Sequence, residues 1–258
     1  MPGVELIADD LLRRDRLGPA AHLLLARKAR RNALDAALLA ALDAAVGEAV
    51  AAGECALVLD ADGEVFCAGM DFAALTATDA PSRPLHETFA RLLRRLDEAP
   101  LLSIALVDGE ALGGGLALAA ACDVVVATPA ARFGLPEALW GLVPANAAPY
   151  IARRTGVRAA RTLALTTESI DAQTALRLGL VDHLAEDRRA ALGVVRRLCL
   201  RASRVGAEGL AAVRQCFARL DGAPADYAAW ALEAISAATD APEARARLGA
   251  AARDGGAP

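Results

Sequence analysis

Aromatic side chains are scarce in this 258-residue sequence, at 3% against 55% for all hydrophobic types. Alanine, leucine and valine must therefore do most of the packing, and the length suffices for one substantial core. Lysine is scarcer still. Lys28 stands alone among 28 basic residues, so no other side chain offers an amine for a Schiff base or a lysine acid. The five cysteines, Cys55, Cys67, Cys122, Cys199 and Cys216, are odd in number and form no CxxC pair. That usage suits a reduced, intracellular protein. His22, His86 and His183 are scattered, which leaves no zinc-like spacing and predicts no metal site. The longest apolar stretch, residues 111–127, holds three glycines and is broken by Asp123. It is too short and too interrupted to span a bilayer. No charged-then-apolar leader opens the chain, so a soluble, cytoplasmic protein is expected, with no membrane partner. The net charge of −4 argues against a nucleic-acid partner, whose electrostatic footprint is basic.

What is present alternates between strand and helix patterns. Residues 22–26 read as a strand, and Asp35 as the N-cap of a helix that runs to about Ala52 and stops at Gly53. Residues 55–59 read as a second, buried strand before the turn Asp60-Ala-Asp-Gly63. Residues 76–84 form a loop and residues 85–98 an amphipathic helix. A strand at 102–107, the turn Asp108-Gly109, a helix at 116–122 and a strand at 123–127 follow. This order predicts an α/β fold with right-handed crossovers. Beyond Pro144 the pattern turns helical, with a strand-like piece at 180–184 and helices at 187–203, 208–220 and 226–238. The expected division is a core over residues 1–202 and a C-terminal helical subdomain over 203–258. The small, polar tail from Arg253 is expected to lack order.

Four segments carry the chemistry. They are Phe66-Cys-Ala-Gly-Met-Asp-Phe72, residues 107–118 around Gly113-Gly-Gly115, residues 131–144 around Pro136-Glu137, and residues 172–182. A glycine triplet alone is usually a turn or a close-packing device, and here it matches neither GxGxxG nor a Walker loop. A lone glutamate after proline is ordinarily a solvated first-turn residue. Glycines that open a helix, however, let the backbone approach a ligand, and the first helical amides lack internal acceptors. Such amides favour negative charge and suit a developing oxyanion.

In this order and at this spacing, the four segments resemble the enoyl-CoA hydratase/isomerase (crotonase) superfamily from about His22 to the C-terminal helices. The resemblance implies a crotonase-like ββα spiral core with C-terminal helices that associate subunits into a homotrimer or hexamer. It implies an oxyanion hole from the backbone amides of Ala68 and Gly114, and an α-carbon acid/base at Glu137. The water-activating glutamate of two-glutamate hydratases would fall at Ala117, so ordinary hydration is not expected. Residues 66–72, 137–145 and 149–156 are similar to the crotonases of polyketide β-branching cassettes, and the absence of lysine from residues 70–80 favours the dehydrating branch.

That resemblance implies a lyase acting on 3-hydroxy-3-methylglutaryl carried by an acyl carrier protein, with no resident cofactor. The substrate arm would be phosphopantetheine or CoA, and nothing in the sequence decides between them. Asp71 would contact substrate or tether the loop that presents Ala68. Trp140 and Tyr150 would line the acyl pocket or pack the core. Arg27, Lys28 and Arg30 match the region that holds the nucleotide end of CoA, or would meet an acidic carrier. The arginines at 91, 94 and 95, and at 153, 154, 158 and 161, read as solvated faces. Cys67 reads as a small buried residue, and His86 as exposed. Competing readings are a double-bond isomerase of enoyl-CoA, a dehydratase that also decarboxylates, and a non-catalytic binding partner. Retention of Glu137 and both glycine-rich segments speaks against the last.

Overall fold

Three strands open the chain: β1 (Glu5–Ala8), β2 (Leu12–Leu17) and β3 (Ala20–Leu25). The computed structural model describes residues 5–8, 11–76, 82–218 and 227–253. β1 and β2, and β2 and β3, pair antiparallel. β2 escapes a reading by periodicity because four of its six residues are charged. Its terminal Leu12 and Leu17 are buried, while Arg13, Arg14 and Arg16 pair with Asp62, Glu48 and Glu54. Helix α1 (Ala36–Ala51) follows, and Asp35 caps it by accepting the Leu38 N–H at 2.8 Å.

A unit of two strands and a helical part then repeats three times. The first turn is β4 (Ala56–Ala61), β5 (Val65–Cys67), α2 (Phe72–Thr76) and α3 (Arg83–Glu98). The second is β6 (Leu102–Val107), β7 (Glu110–Leu112) and α4 (Gly114–Ala121). The third is β8 (Val124–Ala127), β9 (Arg132–Gly134), a 3-10 turn at Glu137–Trp140 and α5 (Ala148–Thr166). In each turn the first strand joins one sheet and the second joins another. With β10 (Ile170–Asp171), α6 (Ala172–Arg177) and β11 (His183–Leu184) added, the sheets run β1-β2-β3-β4-β6-β8-β11 and β10-β9-β7-β5. Strands β3 to β11 of the larger sheet are parallel, as are β5, β7 and β9. This is the ββα spiral that the resemblance implied.

Stacking one turn on the next demands bare backbone at the corners. Gly109 joins β6 to β7 at φ +148°, and a Cβ there would lie 2.1 Å from the Glu64 carbonyl oxygen of the turn below. Only glycine fits such an approach. The main apolar core lies among α1, α3, α4 and the sheets, and a second cluster packs Val58, Ile104, Leu106 and Val126 against Val195 and Cys199.

Those last two residues belong to α7 (Arg188–Ala218), where the sequence predicts two helices. The break between them is a kink at Gly206, which is non-helical at φ 77° and ψ 161°. The expected boundary at 203 falls three residues before that kink. Arg214, beyond the kink, donates to the Leu101 carbonyl at 2.9 Å and pairs with Asp123. Helices α8 (Tyr227–Asp240) and α9 (Pro242–Arg253) complete the chain. The alanine- and arginine-rich α9 is absent from the sequence reading, and it places Leu248 against Phe72 and Leu75 of α2. The C-terminal helices thus roof part of the chain's own spiral. Of the loop expected at 76–84, residues 77–81 lie outside the described residues, as do 254–258 of the tail.

Candidate active site

Gly115 begins the site, because it brings two turns of the spiral into contact. A Cβ at Gly115 would stand 2.2 Å from the Cys67 carbonyl oxygen. The start of α4 consequently runs beside residues 67–70, and a Cβ at Gly69 would lie 3.3 Å from the Gly114 nitrogen. Gly113 N–H donates to the Gly134 carbonyl at 2.9 Å. Gly114, the first residue of α4, has no acceptor for its N–H among the described residues.

The other segment carries four consecutive amides, residues 68 to 71, with different partners. Ala68 N–H donates to the Arg31 carbonyl at 3.1 Å. Gly69 N–H faces the Cys67 sulfur. Leu34 bridges to Met70, with Leu34 N–H on the Gly69 carbonyl at 2.8 Å and Asp71 N–H on the Leu34 carbonyl at 2.9 Å. The strand-like alternation turns Met70 N–H away from Leu34, and it has no acceptor among the described residues. The expectation for Ala68 is corrected on this point. Its amide is consumed in holding the segment down, and the amide left free is two residues on.

Met70 and Gly114 border one pocket, together with Phe72, Phe89, Trp140, Leu142 and Ile235. Phe72 and Trp140 rings tilt together with centroids 5.0 Å apart, so Trp140 both packs and lines. Glu137 is the one carboxylate in that wall among the described residues. The residue as a whole is partly buried, but its carboxyl is enclosed, and Oε2 is buried without a partner. Burial raises its pKa to about 7, although its own backbone N–H opposes the shift. A carboxyl balanced near neutrality can take and return a proton at pH 7. Ala117 is fully buried in the core and carries no carboxylate to the pocket.

The remaining candidates separate. Asp71 does not line the pocket. Its Oδ1 accepts Ala73 N–H at 2.9 Å and its Oδ2 accepts Arg27 Nη1 at 2.7 Å, which is loop support rather than substrate contact. Arg27 also bonds the Ala33 carbonyl at 2.9 Å and Asp35 at 2.9 Å. This corrects its reading as a carrier contact, because the guanidinium is occupied in joining three segments. Lys28 is 65% exposed beside Asp62 at 3.6 Å, and Arg30 is exposed. Cys67 is buried, and burial pushes its thiol up to about 12, so it is no thiolate nucleophile. Arg154 is no solvated face, since it donates to the Ala120 and Asp123 carbonyls and to Asp182. His86 is the larger departure. It is 1% exposed and borders the pocket, because α8 covers the start of α3. Nothing local to residues 85–98 announces a helix that begins at Tyr227. Among the described residues no cluster of three metal-ligating side chains occurs, and no helix is long and apolar enough to cross a membrane.

The family model for enoyl-CoA hydratase/isomerase matches residues 20–226. The chain belongs to that family. It is 37% identical over 140 residues to the enoyl-CoA hydratase ACTT6 of Alternaria alternata, covering 54% of this chain and 46% of that protein. It is 33% identical over 168 residues to the bacillaene synthase dehydratase PksH of Bacillus subtilis, covering 64% of each. The match thus spans about half to two thirds of these relatives. The crystal structure of a polyketide biosynthesis enoyl-CoA hydratase (pksH) from Bacillus subtilis superposes with a TM-score of 0.85 at 25% identity. That superposition covers 96% of this chain and 98% of that one.

Proposed function

We propose that the protein is a lyase of the hydratase/dehydratase type that removes water from a β-hydroxyacyl thioester through an enolate. The observation that carries this is the enclosed Glu137 carboxyl beside two unbonded amides, Met70 and Gly114, in an apolar wall. The amides would receive the thioester oxygen, and one such donor contributes about 3–4 kcal/mol as charge develops. Glu137 would remove the α-proton, which forms the enolate. The enolate then expels the β-hydroxyl, and protonated Glu137 returns its proton to the departing oxygen, so the carboxylate is regenerated and water leaves. Elimination on one face lets a single carboxyl serve both steps.

The finer reading is dehydration of 3-hydroxy-3-methylglutaryl on an acyl carrier protein in polyketide biosynthesis. The motif resemblance and the likeness to the bacillaene synthase dehydratase support it. Exposed Lys28 and Arg30 would meet the phosphate of the pantetheine arm or the carrier. The substrate would bring its own arm, carrier-borne or as CoA, and no resident cofactor enters the reaction. Exposed Val157 and Leu165 on α5, with Leu200 and Val213 on α7, are surfaces that assembly into a homotrimer or hexamer would cover.

Intact-protein mass spectrometry of the acyl-loaded carrier tests this. Loss of one water, abolished by Glu137→Ala, supports the dehydratase, and further loss of carbon dioxide adds a decarboxylase step. A carrier whose mass stays unchanged while enoyl-CoA is turned over would overturn the carrier reading. It would favour double-bond isomerisation, which a single carboxylate also serves.

A further inference from the structure

His86 precedes Phe89 by one helical turn on α3, and both border the pocket. Phe89 Cζ would touch a Cβ on Gly114 at 3.3 Å, so this part of α3 meets the start of α4. Its Nε2 lies 3.0 Å from Thr239 Oγ1 on α8. That hydroxyl already donates to the Ile235 carbonyl at 2.8 Å. A hydroxyl has one proton to give, so Nε2 is the donor and carries the ring proton. Nδ1 is left as a lone pair, buried and unpartnered. A buried acceptor left unmet keeps its desolvation penalty, which a ligand that donates to it can recover.

We propose that His86 Nδ1 accepts a hydrogen bond from an O–H group on the acyl chain, making His86 a specificity-determining residue for chains with a polar end. This rests on the pocket being the acyl-thioester site proposed above. The ring cannot protonate the leaving group, because its one N–H is held by Thr239. A hydroxyl or an un-ionised carboxyl suits Nδ1. An ionised carboxylate would face the lone pair, with no lysine or arginine lining the pocket among the described residues. A chain ending in carboxylate therefore enters with one proton, carried on its own oxygen or on Nδ1.

The charges around the ring agree with a neutral state. Burial pulls the His86 pKa to about 4 against the opposing pull of Asp240. Asp240 is itself engaged by Ser82 N–H at 3.2 Å and by Arg245 of α9 at 2.9 Å. Arg83 and Glu87 pair with each other on α3 at 2.9 Å, and Glu137 is the remaining titratable group of the wall.

The test uses pantetheine amides of three acyl chains that lack the β-hydroxyl and differ at the end, in methyl, hydroxymethyl or carboxyl. Titration calorimetry from pH 6 to 8, in buffers of different ionisation enthalpy, reads affinity and proton uptake. The hydroxymethyl chain is expected to bind about tenfold tighter than the methyl chain. The carboxyl chain takes up one proton and weakens about tenfold per pH unit relative to the hydroxymethyl chain, a ratio that cancels Glu137's own titration. His86→Leu equalises methyl and hydroxymethyl. Thr239→Val releases the tautomer, lets Nδ1 carry the proton and abolishes the uptake. Equal binding of methyl and hydroxymethyl chains, carboxyl binding without proton uptake in the wild type, or no binding of any chain overturns the proposal. Failure of the dehydratase reading looks different: the binding order stands while no β-hydroxyacyl thioester loses water.

Discussion

Gly113 and Glu137 occupy complementary space: a Cβ on Gly113 would stand 3.1 Å from Glu137 Oε1 and 3.4 Å from its Cδ. The glycine also holds φ +51° and ψ −116°, which L side chains rarely adopt. Gly113→Ala should therefore push the carboxyl from its seat and strain the turn into α4. We expect kcat to fall at least about tenfold, with about 1–2 kcal/mol lost in urea melts. Unchanged kcat would show that the carboxyl position is not critical.

The alternation of amides at residues 68 to 71 gives a second prediction. An ester at residue 70, introduced with the α-hydroxy acid analogue of methionine, removes one N–H, keeps the Asp71 N–H bond to the Leu34 carbonyl and weakens the Gly69 carbonyl that accepts Leu34 N–H. It should lower kcat by about 10²–10³ with little loss of stability. The ester at residue 68 removes the bond to the Arg31 carbonyl, so it should destabilise by about 1 kcal/mol while affecting kcat less. The reverse ranking would restore Ala68 as the donor.

Glu137 and His86 make opposite contributions to stability across pH. The Glu137 pKa rises from 4.5 to about 7 in the folded chain. Above 4.5 the unfolded chain gives up the proton first, so stability is lost as pH rises towards 7 and stays lost beyond it. The His86 pKa falls from 6.5 to about 4. Below 6.5 the unfolded chain takes the proton first, so stability is lost as pH falls towards 4. Each spans about 3 kcal/mol, and between pH 4.5 and 6.5 the two slopes cancel. Wild-type stability should be nearly flat there. Glu137→Gln should leave a curve that rises with pH, and a neutral His86 variant one that falls. Urea melts at half-unit pH steps would reveal this, and a single variant as flat as the wild type would refute the opposed pair.

Much of this site was legible in the chain, and its misreadings have physical causes. Glu137 and Gly114 were placed by the family resemblance, and for Gly114 the local pattern agrees, since a helix opened by glycine exposes its first amide wherever it packs. The choice of Met70 over Ala68 depends on where Arg31 and Leu34 place their carbonyls, and no spacing within residues 66–72 reports that. The three-residue strands β5, β7 and β9 are too short to show periodicity, although with β10 they make the second sheet. The burial of His86 and the docking of α9 are long-range facts. They come from α8 and α9 folding back over α2 and α3, with alanine-rich surfaces that look alike whether covered or bare.

The basic cluster at residues 27–31 divides by burial, and that division can be measured. Arg27, with its side chain 16% exposed, joins Asp35 at the start of α1 to Asp71 at the start of α2. Removing it leaves two partly buried carboxylates without their shared cation, so Arg27→Ala should cost about 3 kcal/mol. It should also lower kcat, because Asp71 anchors the segment that presents the Met70 amide. Lys28→Ala and Arg30→Ala should change stability by no more than about 0.5 kcal/mol. Both should raise KM for a carrier-borne substrate and leave KM for a short pantetheine thioester unchanged, more so at low salt. An Arg27→Ala protein as stable as the wild type would dissolve the clamp, and equal KM effects on both substrates would remove Lys28 and Arg30 from carrier recognition.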